Sequence, residues 1–403
     1  MNTATDQSSR LSEHFSSYER VAFPKLLPSD PKNAFFNAER GHREILRAWA
    51  GEESEFFPGI ESFSFQDNEL LECVLPGKVK ASNPVGNAAG LDKYCQARDD
   101  VLARMGFGFH TIGSISQSFR AGNPTEVFVD ENLQATPEGK GRWVIRQKLL
   151  QDEKASVNSR GLDNFGAEKT AQLISGHEHS MPCQASVVGE SHEQYIAALE
   201  TLYNGSGGKL EGFVVNVSCP NTSKGCQFQS DIPSLTALLS DAREVVKHKP
   251  LYVKMGPETS VDSLSLTEQK KEHIAALGRL FVDTGIDAVV AINSASKSVP
   301  EFARRQGGWG GKPIKKLMLE VSSILTKATG GELPVVACGG ISTGADVLEA
   351  VEHGASAAKI GTAVFYHGPF AAAKINNELA ALLEERHSSF KEFVDENCGE
   401  KAR

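Results

Sequence analysis

No apolar run in the 403 residues approaches the roughly 20 needed to cross a bilayer as a helix. The first residues, MNTATDQSSRLSEHF, lack the apolar core of a secretory signal, and the acidic residues among them argue against a mitochondrial presequence. A clustered basic stripe is missing too. With a net charge of -9, the chain lacks the electrostatic footprint of a nucleic-acid binder. The seven cysteines, at 73, 95, 183, 219, 226, 338 and 398, are odd in number, scattered and without CxxC spacing. They suggest neither a disulfide framework nor a zinc site, so a reducing cytoplasm is the expected setting. No GxGxxG follows a β-like run, which argues against a dinucleotide fold. GGWGGKP at 307–313 is not a nucleotide P-loop, because Gln306 stands where the first glycine belongs and Pro313 replaces the Ser or Thr. It reads as a mobile loop.

What is present divides into three parts. Residues 1–29 are polar, aperiodic and expected to be mobile. Residues 30–75 read as a helical cap and linker. The segment DPKNAFFNAERGHREILRAWAG has Asp30 as N-cap, Pro31 in its first turn and Gly51 near its stop. Its apolar positions Phe35, Ala38, Ile45, Leu46 and Trp49 form a rough stripe, which either packs on the main domain or faces a membrane or partner. A short strand is expected near 71–75.

Residues 76–403 alternate short apolar runs with amphipathic stretches. Strand candidates fall at 84–88, 110–112, 183–188, 212–217, 251–254, 288–292, 335–338 and 357–360, each followed by a helical pattern. Eight such pairs over about 300 residues predict an α/β chain folded as a (β/α)8 TIM barrel rather than an open doubly wound sheet. One connection, 115–166, is far longer than an ordinary βα loop and reads as a lid, an edge hairpin or a ligand-contacting insertion.

In a barrel the strand ends converge on one face, so the residues just after each apolar run are site candidates. The run VVNVSCPNT (214–222) carries the most chemistry. A buried strand there ends abruptly in Asn216, Ser218, Cys219, Pro220, Asn221 and Thr222. Carboxamides can both donate to and accept from a planar polar ligand, and a thiol can act as proton acceptor or nucleophile. Alone, the motif more readily describes a buried strand ending in an Asn-capped turn. The other ends agree with it: NAAGLDK supplies Ala89, Gly90 and Lys93; IGS supplies Gly113 and Ser114; VKMGP supplies Lys254; INSAS supplies Asn293 and Ser294. A lysine inside the apolar run LYVKM should be partly buried and in need of an anionic or hydrogen-bonding partner. The last two runs end in Gly339–Gly340 and in Gly361–Thr362, each before a helix start. Bare backbone N–H groups and helix dipoles there form the usual phosphate cradle of a barrel.

Taken together, NPVGNAAGLDK, MGFGFHTIGS, VNVSCPNT, VKMGP, the Asn293 strand end, GGWGGKP, CGGIS and HGP resemble the dihydroorotate dehydrogenase family, and most closely its membrane-associated, quinone-reducing class. The resemblance runs from about residue 30 to about 385. It implies an FMN-binding barrel whose N-terminal helices form an apolar cap admitting quinone, with peripheral membrane contact through residues 30–50. It also implies FMN contacts at Ala89, Gly90, Lys93, Gly113, Ser114, Asn158, Ser186, Asn216, Lys254, Asn293 and Gly311, with Gly339, Gly340, Gly361 and Thr362 at the phosphate. Asn158, Asn216, Asn221, Asn293, Ser294 and Lys93 would hold the substrate, and Cys219 would be the base. The reaction implied is oxidation of dihydroorotate to orotate in pyrimidine biosynthesis. Cys219 removes a proton from one ring carbon, flavin N5 takes a hydride from its neighbour, and a quinone or other acceptor reoxidises the flavin.

The departures from the family pattern bear on the substrate and the acceptor. The quinone class normally uses a serine base, whereas a cysteine is typical of the soluble class; a free thiol, with pKa of roughly 8.5, needs less activation. Ser186 stands where an asparagine is usual, and Leu162 where a phenylalanine is usual. GNPTEVF lacks the arginine of the family's GNPxPR, and Gly361 replaces a common tyrosine. Residues 130–156 read as an insertion. An FMN-dependent ene-type oxidoreductase acting on another small molecule is the alternative.

Overall fold

The computed structural model describes residues 36–53, 56–57, 60, 63–137, 139–218 and 225–399. Its centre is a ring of eight parallel strands: β1 (Val85–Asn87), β2 (His110–Ile115), β3 (Cys183–Val187), β4 (Gly212–Asn216), β5 (Leu251–Lys254), β6 (Ala288–Ala291), β7 (Val335–Cys338) and β8 (Ala355–Ile360). All are buried along their whole length, which is why they read as near-continuous apolar runs rather than alternating ones. Seven neighbouring pairs form ladders, and the isolated parallel bridges Gly86–Phe109 and Asp92–Ile112 close the seam between β1 and β2. At that seam the Asn87 carboxamide replaces missing ladder bonds: its Nδ2 donates to the Thr111 carbonyl at 2.9 Å and its Oδ1 accepts from the Thr111 N–H at 2.7 Å. The fold is therefore the (β/α)8 barrel expected from the alternation.

Helices pack around the ring, each entered through a recognisable start. Ser191, Thr267 and Thr343 cap their helices through side-chain oxygens, and Thr343 with Asp346 completes a capping box. A hairpin, Cys73–Leu75 with Val79–Ala81, covers the N-terminal end of the barrel, where the buried Tyr252 hydroxyl donates to the Pro76 carbonyl at 2.6 Å. The expected short strand near 71–75 is its first arm.

The long connection after β2 is built from β-structure. A three-stranded antiparallel sheet (Val127–Val129, Ala135–Thr136, Arg142–Val144) is followed by the hairpin Gln147–Leu150 and Ala155–Asn158. That hairpin joins a second one, Ala295–Ser298 and Gln306–Gly311, in a four-stranded sheet over the barrel mouth. GGWGGKP is thus not a loop. Its glycines are a strand paired on both sides, and glycine is needed at one of them because a Cβ on Gly307 would fall 2.6 Å from the Asn158 carbonyl oxygen of the backbone.

The N-terminal helix α1 is described from Phe36 to Trp49, so the expected cap at Asp30, along with Phe35, lies outside the described residues. Ile45, Leu46 and Trp49 are buried in the main core; Trp49 meets Phe107 edge-on at 5.3 Å and donates from Nε1 to the Pro369 carbonyl at 3.4 Å. This end of the stripe packs on the barrel. Among the described residues no helix is long and apolar enough to cross a membrane.

Candidate active site

The C-terminal ends of the strands open into a cavity of about 760 Å³, a volume suited to one cofactor with a small substrate. Its floor is a polar network assembled from four strands. Asn216 donates from Nδ2 to Ser114 Oγ at 3.0 Å, and its Oδ1 accepts from Asn293 Nδ2 at 3.3 Å. Asn293 also reaches Ser218 Oγ at 3.2 Å, and its own Oδ1 accepts from the Ser294 N–H at 2.9 Å. The strand register places Asn216 opposite Lys254, so the carboxamide and the ammonium arrive side by side.

Lys254 is 6% exposed, and among the described residues its ammonium has no hydrogen-bond or carboxylate partner. A second lysine, Lys359 on β8, is 2% exposed and donates to Gln184 Oε1 at 2.9 Å, with the rings of Phe109 and Tyr252 beneath it. Burial, reinforced by the neighbouring Lys254 charge, brings Lys359 down to about 7. A cavity floored by two buried lysines, with no carboxylate bonded to either among the described residues, calls for an anionic or electron-rich ligand.

One end of the cavity is lined by Gly339, Gly340, Gly361 and Thr362. Gly340 has φ 78°, and a Cβ there would lie 2.5 Å from Lys315 Cβ, so only glycine lets this turn approach the wall. Ser156 Oγ and Thr362 Oγ1 are 2.8 Å apart at the same end, tying the inserted hairpin to the turn after β8. These bare turns and hydroxyls suit a phosphate.

The outer wall is charged. Lys93 Nζ lies 2.7 Å from Asp163 Oδ1, and Arg160 is 2.5 Å from Asp163 Oδ2. Burial alone would raise the Asp163 pKa, but Lys93 and Arg160 outweigh it and hold the carboxyl well below its usual range. Arg146 bonds Glu39 of α1, and Arg160 stands 3.8 Å from the same carboxylate, so an ion network fastens α1 to the insertion. His42 of α1 faces the cavity, with Nε2 2.7 Å from the Leu91 carbonyl and Nδ1 3.1 Å from Arg160. Burial, with the Arg160 charge, lowers its pKa to about 3, so the ring is neutral.

Of the site residues read from the sequence, the structure brings Ala89, Gly90, Lys93, Ser114, Asn158 and Asn216 to the cavity wall. It does the same for Lys254, Asn293, Ser294, Gly311 and the four phosphate-end residues. Two others are set back. Ser186 is fully buried behind Ser114, its Oγ 3.0 Å from Ser114 Oγ, and is not part of the wall. Gly113 is likewise outside the wall; its N–H donates to the Asp92 carbonyl at 2.8 Å and its carbonyl accepts from Gly90 at 2.5 Å. Cys219 and Asn221 lie outside the described residues. Sequence reasoning missed His42, Arg160 and Lys359. Lys359 carried the signal that marked Lys254, a lysine within an apolar run, but AAKIG was read for its glycine.

The dihydroorotate dehydrogenase family model matches residues 145–383. A mouse (Mus musculus) protein named dihydroorotate dehydrogenase (quinone), mitochondrial, is 31% identical over 343 residues, covering 80% of this chain and 78% of its own length. A protein of Gloeobacter violaceus named dihydroorotate dehydrogenase (quinone) is 28% identical over 377 residues, covering 91% of this chain and 94% of its own. Among solved structures, DHODH from Eimeria tenella in complex with ferulenol superposes with a TM-score of 0.70 at 21% identity, over 95% of this chain and 99% of that one. That last likeness concerns the fold; the family match and the mouse relative go further, and with a barrel mouth carrying the asparagine and lysine strand ends they establish that the chain belongs to the dihydroorotate dehydrogenase family.

Proposed function

We propose that this enzyme binds FMN and oxidises dihydroorotate to orotate, with Cys219 as the base and a quinone as the second electron acceptor. The observation that carries the reading is the convergence of Asn216, Asn293 and Ser294 with the Lys254 ammonium, which has no partner among the described residues, on one cavity floor. FMN, when bound, supplies a two-electron acceptor. The glycine turns at 339–340 and 361, with Thr362, fit its phosphate, and Lys254 fits an electron-rich ring edge.

The chain's own residues then have distinct tasks. Asn216 and Asn293 are fixed by each other and by Ser114 and Ser218, so their remaining donors and acceptors are preset for a planar ring bearing imide and carboxylate groups. Lys93, held by Asp163, keeps a positive charge at the wall. Cys219 follows Ser218, whose hydroxyl donates to the Lys254 carbonyl at 3.2 Å, so the thiol-bearing segment leaves directly from the asparagine network. In its thiolate form Cys219 would accept the ring-carbon proton, becoming the thiol. Access for a quinone is supported by the relatives' names and by α1, whose His42 forms part of the cavity wall.

Orotate titrated at micromolar concentration into the FMN-loaded protein should perturb the flavin absorbance. An FMN enzyme of this fold acting on another small molecule would leave the spectrum unchanged, and that result would replace the dihydroorotate reading with this alternative.

A further inference from the structure

At the opposite, N-terminal end of the barrel four side chains meet that take no part in the proposed chemistry. Cys183 opens β3, His110 opens β2, Asp99 begins the helix Asp99–Arg104, and His179 lies in the connection before β3. Asp99, His179 and Cys183 each offer a ligand atom, and the three atoms lie within 4.8 Å of one another. His110 Nδ1 is 2.8 Å from Asp99 Oδ1 and 4.0 Å from Cys183 Sγ.

The orientation of the two rings is the more telling feature. Each turns Nδ1 inward on the Asp99 and Cys183 group and Nε2 outward. His179 Nε2 lies 3.1 Å from the Ile174 carbonyl, and His110 Nε2 lies 3.2 Å from Asp92 Oδ2. The His110 nitrogen is fully buried and completes no hydrogen bond. A metal-bound histidine has this arrangement, its distal N–H aimed at a carbonyl or carboxylate that fixes the tautomer. Asp92 is itself anchored by the N–H groups of Gln96 and Ala97 at 2.9 and 3.2 Å.

We propose that Cys183, His179, Asp99 and His110 form a binding site for a zinc-class divalent cation that staples the N-terminal ends of β2 and β3 to the helix after β1. One thiolate, two imidazoles and one carboxylate are a tetrahedral zinc donor set, with bonds of about 2.0–2.3 Å. Such bonds hold ligand atoms within about 4 Å of each other. The atoms of Asp99, His179 and Cys183, within 4.8 Å of one another, therefore close on an ion by shifts of roughly 1 Å or less. His110 Nδ1, 2.8 Å from Asp99 Oδ1, is the fourth donor. Binding sends the thiol proton and the two inward imidazole protons to solvent. Affinity therefore rises with pH. Entry is available because His179 also lines a groove over the hairpin Cys73–Leu75 and Val79–Ala81. Sequence spacing concealed the site because its ligands are contributed by three separate segments of the chain.

A metal-free arrangement competes with this one: the two carboxylates, Asp92 and Asp99, neutralise two charged imidazoles, and the hydrogen bond that His179 donates to Asp99 raises its pKa to about 10. The full-length protein, equilibrated with zinc at pH 8 and desalted, separates the two by elemental analysis. One zinc per chain is expected, together with a thiolate-to-cobalt charge-transfer band when cobalt(II) is the probe. Cys183→Ala should abolish the band. His179→Gln, a change at a partly exposed position, should weaken zinc binding at least tenfold while the flavin spectrum stays the same. Wild-type protein that retains less than a tenth of an equivalent and shows no cobalt band would overturn the proposal, whatever the state of the active site.

Discussion

Lys254 illustrates how a single buried charge can define a site. An ammonium at 6% exposure, with no carboxylate partner among the described residues, destabilises the fold unless a ligand compensates it. Replacing Lys254 with Met should therefore weaken FMN binding at least tenfold, the loss of one charge-assisted bond worth about 1.5–3 kcal/mol. The ligand-free protein should melt no lower than wild type. Equilibrium dialysis and a melting curve check both halves, and unchanged FMN affinity would remove Lys254 from the cofactor site. Cys219 makes a different prediction. A general base typically contributes two to four orders of magnitude, so Cys219→Ala should slow flavin reduction by at least about a hundredfold with FMN still bound. Stopped-flow reduction at an unaltered rate would assign the proton to another group. At this scale the sequence was informative wherever a polar residue interrupted an apolar run, as at Asn216 and Lys254. It singled out Ser186 as an FMN contact but could not show its place behind Ser114, which depends on a contact between neighbouring strands 72 residues apart in the chain.

Among elements, α1 is where position and chemistry meet. Ile45 and Trp49 anchor one end in the core, while His42 and Glu39 join the cavity wall and the ion network at the other. Because docking keeps His42 neutral down to about 3, against an ordinary value near 6.5, the released helix binds a proton that the docked one refuses. Docking is thus fully supported above pH 6.5 and weakens as pH falls toward 3. At pH 5 the loss is about 2 kcal/mol. Amide exchange across 36–49 should accelerate between pH 7.5 and pH 5 after correction for intrinsic rates, and His42→Gln should flatten that dependence. Equal acceleration in both proteins would locate the acid sensitivity elsewhere. The elements themselves were unevenly legible. Eight barrel strands could be read from length and apolar content because burial on both faces demands it. The strand Gln306–Gly311 could not, since glycine has low strand preference and this one is held by partners such as Ala155–Asn158, about 150 residues earlier.

For the whole molecule, the barrel separates two tasks along its axis. The C-terminal mouth gathers the asparagines, lysines and glycine turns, with the two hairpins and α1 around them. The N-terminal end is closed by the hairpin Cys73–Leu75 and Val79–Ala81 and by the Asp99, His110, His179 and Cys183 cluster, where substitutions should act on stability rather than turnover. Alternation of apolar runs and helical patterns made this architecture readable, but it could not show how the two hairpins and α1 close around one mouth, because their pairing joins segments far apart in the chain. The most direct measurement follows the visible spectrum of the purified, FMN-loaded protein during anaerobic addition of dihydroorotate. Bleaching of the flavin bands with formation of one orotate per flavin is the predicted result; FMN that stays oxidised in the presence of excess dihydroorotate would contradict the assignment.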